Sequence, residues 1–261
     1  MQGGRKYDII PRRRTKRSVP FCEVLILVRA DKLIASNTAL SRKDAAKLIR
    51  SGQVLSDGIP VTSPDQKLSE TALLCINGRT VAAKKFVYLM MNKPSGLLSV
   101  SRAPTDRTVT DLLTPELKKR ELFPAGRLDR DTTGFVLLTD DGVFAHNILA
   151  PKKHIPKTYE VRLDTPVTDE MARGFAEGTV LADGSPCAPS VLIPDETDPF
   201  SCEVVLTQGM YHQIKRMFGV YGAGVVTLHR SVMGNLRLDP ALAPGEYREL
   251  TEEELQAVSG R

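Results

Sequence analysis

The spacing of apolar and polar residues changes along the chain. Near the start the pattern is helical. Ser41 with Asp44 three places on makes a capping-box-like start, and Ala45, Ala46, Leu48 and Ile49 supply apolar contacts. This predicts a helix to about Arg50, stopped at Gly52. Val54–Ser56, Asp57-Gly58 and Ile59–Val61 then predict a tight hairpin. After Lys84-Lys85 the pattern becomes mostly strand-like. Phe86–Met91 is an apolar run of strand length, closed by the turn-rich Asn92-Lys93-Pro94-Ser95-Gly96. Phe135–Leu138 is a second buried-type run. Asp140-Asp141-Gly142 after it fits either a hairpin turn or the cap of a helix at 143–149. Thr158–Leu163 alternates as a strand does. Met171 and Phe175 mark a helix over Thr168–Glu177 that ends at Gly178. Val191–Ile193, Cys202–Leu206 and Val225–Leu228 read as strands, and 194–199 as a loop. Ile214, Met217, Phe218 and Tyr221 recur at helical spacing and predict an amphipathic helix over 210–221. No internal repeat is present. Strands outnumber helices without alternating strictly with them. The fold class is therefore α+β: a small helix-and-hairpin domain, then a domain with a large mixed or antiparallel sheet flanked by helices.

Length and charge sharpen this division. A chain of 261 residues is one large domain or two smaller ones. Residues 1–28 hold seven Lys/Arg against two Asp/Glu, and residues 29–85 hold ten against five. Residues 86–261 reverse the balance, with 19 against 24. A basic block ahead of a mildly acidic one suits a polyanion-binding module, although a solvated surface has the same composition. Lys43, Lys47 and Arg50, at i, i+4 and i+7, line one face of the first predicted helix.

The basic stretch 12–17 followed by Val24–Val28 superficially resembles a signal peptide. The apolar run is short, Glu23 lies beside it, and no clear small-residue cleavage site follows. We read residues 1–27 as a disordered basic tail, either an arm that touches RNA or the product of a misplaced start codon. No apolar run approaches the ~18–20 residues needed to span a bilayer. The four cysteines form no CxxC pair and have no histidine cluster beside them, which points to a reducing cytoplasm rather than zinc or disulfides.

Three clusters hold candidate chemistry: Gly126-Arg127-Leu128-Asp129-Arg130-Asp131-Thr132-Thr133-Gly134, Lys157-Thr158-Tyr159-Glu160-Val161, and Gly209-Met210-Tyr211-His212-Gln213-Ile214-Lys215-Arg216-Met217. Each has an ordinary structural explanation alone: a turn aspartate, a packing tyrosine, the polar face of a helix. In this order they resemble the small-ribosomal-subunit pseudouridine synthase family. So do Asn92-Lys93-Pro94-x-Gly96, Leu138-Thr139-x-Asp141-Gly142, Leu228-His229-Arg230, Gly234 and the ending Pro244-Gly245-Glu246-Tyr247-Arg248-x-Leu250-Thr251. Ahead of them, Arg29-x-Asp31-Lys32-Leu33, Ser41-Arg42, Ala46, Ile49, Gly52-x-Val54 and Asp57-Gly58 resemble the S4-type RNA-binding domain. Ala30 departs from it, because the family usually has Leu there.

The resemblance implies an S4-type domain over 28–85 and a catalytic domain over 86–261. Arg42, Lys43, Lys47 and Arg50 would contact RNA. The implied reaction converts uridine in RNA to pseudouridine. The glycosidic bond to nitrogen is cut, the base turns, and carbon 5 joins the sugar. It needs neither cofactor nor metal, and the sequence has no P-loop, no GxGxxG loop and no metal cluster. The family's essential aspartate falls on Asp129. It would either attack the anomeric carbon or assist loss of the base by a glycal route. The basic partner falls on Lys215, where many relatives have Arg, with Arg216 as the fallback. Tyr159 falls on the active-site tyrosine, whose ring would stack on uracil and whose hydroxyl would help move the carbon-5 proton. Arg127, His212, Gln213, Arg216 and Leu228 are candidate substrate contacts, Arg127 holding a flipped base and Leu228 packing under the tyrosine. The expected partner is 16S rRNA, at the uridine conventionally numbered 516, naked or in an assembling small subunit. We expect a monomer. Three alternatives stay open: a synthase acting on 23S rRNA, a non-catalytic ribosome-assembly factor, and a nucleoside hydrolase.

Overall fold

The computed structural model describes residues 26–260, so most of the expected tail (residues 1–25) lies outside the described residues. The first elements are β1 (Leu27–Arg29), α1 (Ala30–Asn37), α2 (Arg42–Arg50), β2 (Val54–Ser56), β3 (Ile59–Pro60), β4 (Lys67–Ser69), β5 (Leu73–Ile76) and β6 (Arg79–Ala82). The Ser41 hydroxyl accepts from Asp44 N at 3.1 Å and donates to the Asp44 carboxylate at 2.6 Å, which fixes the start of α2. Asp57 and Gly58 have φ of 50° and 80°, the left-handed pair that a two-residue hairpin requires. Helix α1 was not anticipated from the sequence, and no side chain caps it. Remote carbonyls fix its start instead: Ala30 N donates to Gln66 O at 2.8 Å and Asp31 N to Pro64 O at 3.0 Å. Leu33, Ile34, Ala45, Ile49, Val54 and Leu74 bury together beneath these elements.

The rest of the chain forms β7 (Tyr88–Lys93), α3 (Pro115–Lys118), β8 (Phe123–Pro124), β9 (Thr133–Thr139), α4 (Gly142–Leu149), β10 (Lys157–Leu163), α5 (Asp169–Glu177), β11 (Val191–Pro194), β12 (Ser201–Leu206), α6 (Gln213–Val220), β13 (Val225–Met233), β14 (Leu236–Arg237), β15 (Tyr247–Glu249) and α7 (Glu252–Val258). One mixed sheet runs β11-β12-β10-β13-β9-β7-β15, with β14 on β13 and β8 on β9. Two antiparallel blocks meet at its centre. The join between β9 and β13 is parallel and short, pairing Thr133 with His229 and Gly134 with Arg230. Gly134 is required there, because a Cβ would lie 2.4 Å from Arg230 O. Asp141 proves to be a helix cap and not a hairpin residue. Its Oδ1 accepts from Val143 N and Phe144 N at 3.0 and 2.9 Å, and its Oδ2 from the Tyr88 hydroxyl at 2.8 Å.

Several boundaries differ from the sequence reading: β13 runs on to Met233 rather than stopping at Leu228, and β9 begins at Thr133 rather than Phe135. β7 runs to Lys93 rather than Met91, because β9 continues to pair it as far as Gly134. Helix α6 begins at Gln213 rather than 210, because His212 is left-handed, with φ 48° and ψ 35°. The described cysteines Cys75, Cys187 and Cys202 are free thiols, and burial pushes Cys202 up to about 12. Among the described residues no helix is long and apolar enough to cross a membrane.

The basic first part is fastened to the rest through Arg120. Its Nε donates to Asp140 at 2.7 Å, its Nη1 to Asn37 Oδ1 at 3.1 Å, and its Nη2 to the carbonyls of Lys84 and Lys85 at 3.0 and 2.8 Å. Lys119 reaches the carbonyls of Ala39 and Leu40 beside it.

Candidate active site

The loop between Gly126 and Gly134 leads into the parallel join, and Asp129 sits within it. Both flanking glycines have positive φ, 94° and 99°. The loop is tied from below by Lys93, which is completely buried. Lys93 Nζ donates to the carbonyls of Pro94, Arg130 and Thr132 at 3.1, 3.0 and 2.7 Å. Three acceptors match the three N–H groups of an ammonium. Burial pushes Lys93 down to about 8, while the charges of Asp131 and Asp129 pull it back up. Gly96 N adds a bond to Arg130 O at 2.8 Å, and Thr132 N one to Asp129 O at 3.2 Å. The sequence reading gave Lys93 no role. The signal was a lysine at the end of an apolar strand, immediately before a turn.

So held, the Asp129 carboxylate, 27% exposed, faces the start of α6. Oδ1 lies 3.5 Å from His212 Nε2 and Oδ2 lies 3.6 Å from Lys215 Nζ. Neither oxygen accepts a hydrogen bond among the described residues. Lys215 makes its shorter contacts to Asp131, at 2.6 and 2.7 Å, and holds that carboxyl below the usual range. Asp131 therefore anchors the lysine that stands over Asp129, a function unassigned at the sequence level although it lies two residues away. The anchored ammonium places positive charge beside the Asp129 carboxylate.

Two of the expected residues take different places. Arg216 does not reach Asp129. Its guanidinium pairs with Asp183 and with the Tyr211 carbonyl, whereas Lys215 stands over Asp129. Gln213 is buried, and its amide is already engaged. Oε1 accepts from Met210 N at 2.9 Å and Nε2 donates to Gln208 at 3.3 Å, so its side chain ties the loop ahead of α6. Arg127 is exposed beside Asp129 and makes no ion pair among the described residues. Tyr159 packs both on the cluster holding Leu228 and on the cluster holding Leu128, neighbour of Asp129. Register places Tyr159 opposite Arg230 and Val161 opposite Leu228. Arg42, Lys43, Lys47 and Arg50 are all exposed on α2, and Arg42 is drawn to Asp31 at 2.9 Å.

Comparison with known proteins decides what this arrangement belongs to. Residues 87–219 match the family model of RNA pseudouridylate synthases, and residues 28–74 match that of the S4 domain. The chain belongs to the RNA pseudouridine synthase family. It is 44% identical over 235 residues to a Bacillus subtilis (strain 168) protein described as an uncharacterized RNA pseudouridine synthase, YtzG, covering 89% of this chain and 98% of that one. It is 41% identical over 233 residues to ribosomal small subunit pseudouridine synthase A of Escherichia coli (strain K12), covering 88% of this chain and all of the relative. A solved pseudouridylate synthase superposes with a TM-score of 0.63 at 37% identity, covering 88% of this chain and 99% of that structure. As a pseudouridine synthase the chain is an isomerase acting on RNA, with an S4 domain ahead of the catalytic sheet.

Proposed function

We propose that this synthase converts one uridine of 16S rRNA, the one conventionally numbered 516, to pseudouridine, with Asp129 as the reacting carboxylate. The observation that carries the reading is the Asp129 carboxylate itself, set between Lys215 and His212 with neither oxygen accepting a hydrogen bond among the described residues. The similarity to small-subunit synthases along their whole length supports the choice of 16S rRNA. Uridine leaves the RNA stack and enters against Tyr159, the unstacking drawing on about a few kcal/mol of binding. The bond between C1′ and N1 breaks as Asp129 attacks C1′ or assists formation of a glycal. The base turns within the pocket and C5 bonds to C1′, either displacing the Asp129 carboxylate from its ester or adding to the glycal as Asp129 returns the C2′ proton; the C5 proton then leaves and N1 gains one. Atoms balance with no external donor. Arg127 holds the emptied stack, and α2 docks the RNA through phosphates, which gives grip without sequence choice.

Pseudouridine mapping by carbodiimide adduct and primer extension tests this. Cells lacking the protein should lose a single 16S stop, which returns with the wild type and not with Asp129→Asn. A missing stop in 23S rRNA instead moves the target and keeps the chemistry. Full restoration by Asp129→Asn removes that carboxylate from the reaction. No change at any site favours a non-catalytic assembly factor.

A further inference from the structure

One aromatic side chain at the mouth of this site has no role in the reaction above. Tyr211 is 74% exposed, the most exposed of the large aromatics among the described residues. Its ring is not loose, however. It stacks on His212 with centroids 3.8 Å apart and planes 19° from parallel, and His212 in turn faces Asp129. The pair is held from beneath by buried and charged groups. Gln213 closes on Met210 through both its side chain and its N–H, at 2.9 and 3.3 Å. Arg216 donates from N to His212 O at 2.9 Å and from Nη1 to Tyr211 O at 3.4 Å. Its guanidinium is itself anchored on Asp183. The backbone at His212 is left-handed, a conformation that costs a non-glycine residue about 1–3 kcal/mol and persists where surrounding bonds impose it. A fixed stem and an exposed, stacked tip are what a recognition surface needs and what a packing residue does not.

We propose that Tyr211, backed by His212, is a stacking step for the nucleobase that flanks the target uridine in the RNA. The inference rests on the Asp129 site acting on RNA, as proposed above. When uridine leaves its stack, its neighbour loses a stacking partner. An exposed aromatic face beside the reacting carboxylate replaces that partner. A base is the matching occupant, because every base offers a π-face and single-stranded RNA is held by aromatic stacking. His212 completes the step: its ring lies against the inner face of Tyr211 and leaves the outer face to the RNA. The contact is sequence-tolerant, so it positions the strand and leaves the choice of target to RNA shape.

The test uses an rRNA fragment containing the target, with 2-aminopurine placed on either side of the uridine. Wild type, Tyr211→Phe and Tyr211→Ala are compared by 2-aminopurine fluorescence on binding and by steady-state kinetics. Stacking quenches the probe, so wild type and Tyr211→Phe should quench it at one flanking position. Tyr211→Ala should lose the quenching and raise KM by about fivefold to a hundredfold, with a much smaller change in kcat. Unchanged KM and quenching in Tyr211→Ala overturn the proposal while leaving Asp129 in place. Loss of kcat alone, with KM intact, also overturns it, because the residue would then act on the chemistry. Full isomerisation of the mapped uridine by Asp129→Asn defeats the Asp129 reading and this one with it.

Discussion

Replacing Gly134 by alanine puts a methyl group into the seam on which the active site depends. The new Cβ would lie 2.4 Å from Arg230 O and 2.8 Å from Arg230 N. Both are backbone atoms of the neighbouring strand, so no rotamer change relieves the contact. The residue also has φ 99°, where a side chain costs about 1–3 kcal/mol. Overpacking adds about 1–3 kcal/mol. The sum is about 2–6 kcal/mol, a large share of the ~5–15 kcal/mol of a whole domain. At about 2–4 °C per kcal/mol for a domain of this size, the catalytic transition should fall by roughly 5–20 °C. Calorimetry of the full chain reads this. Gly142→Ala serves as the control, since no atom lies within 4 Å of its added Cβ and its φ is not positive. That variant should match or slightly exceed the wild type. A Gly134→Ala transition within about 2 °C of the control would refute the claim that the seam tolerates no side chain. Below its transition the variant should also isomerise more slowly, because the strand displaced by the methyl begins where the Asp129 loop ends.

The docking face and one buried carboxylate give two further outcomes. Alanine at Lys43, Lys47 and Arg50 together should reduce the slope of log affinity against log salt by about 2–3, and an unchanged slope would mean that α2 does not meet phosphate. Arg42 is left out because it already answers Asp31. The guanidinium of Arg29, with help from Arg42, holds Asp31 down to about 2, from an ordinary value of 3.8. The resulting stability is present above the unfolded value and is lost as pH falls through about 2. Asp31→Asn should therefore lower the urea stability of the first domain by about 1–2 kcal/mol at neutral pH, the loss shrinking towards pH 2. A deficit that stays constant with pH would assign the effect to packing.

Much of this architecture is legible in the sequence where its causes are local. Ser41 and Asp44, the Asp57-Gly58 turn, and Thr168 with Met171 and Phe175 each announce an element from within a few residues. The features that escape have causes far along the chain. α1 starts where two carbonyls some thirty residues later accept its first N–H groups, which no capping pattern reports. Lys93 ties carbonyls 37 and 39 residues away. The helical period at Ile214, Met217, Phe218 and Tyr221 gives the face of α6 correctly, but not its start, because His212 turns left-handed under bonds from Gln213 and Arg216. The candidate site is half legible for the same reason. Asp129 and Lys215 sit in recognisable strings, whereas the consignment of Arg216 to Asp183 and of Gln213 to the loop depends on which way each side chain leaves the backbone. Asp131, exposed and beside a more conspicuous aspartate, gives no sequence signal that Lys215 prefers it.

The fastening of the two parts by Arg120 makes the protein a gauge. One guanidinium bonds to Asp140 on the catalytic side and to Asn37 and the Lys84-Lys85 carbonyls on the other, so the interval between the basic face of α2 and the Asp129 carboxylate is set by the protein and not by the RNA. On the proposed reading, in which α2 meets phosphate and Asp129 reacts, a substrate brings a phosphate-rich feature and an accessible uridine to that interval at the same time. Selection by distance needs no base to be read and works on a folded RNA whose sequence varies. On that reading the choice of nucleotide becomes a property of the joint: loosening Arg120 should broaden which uridines are modified without slowing the isomerisation of any one of them.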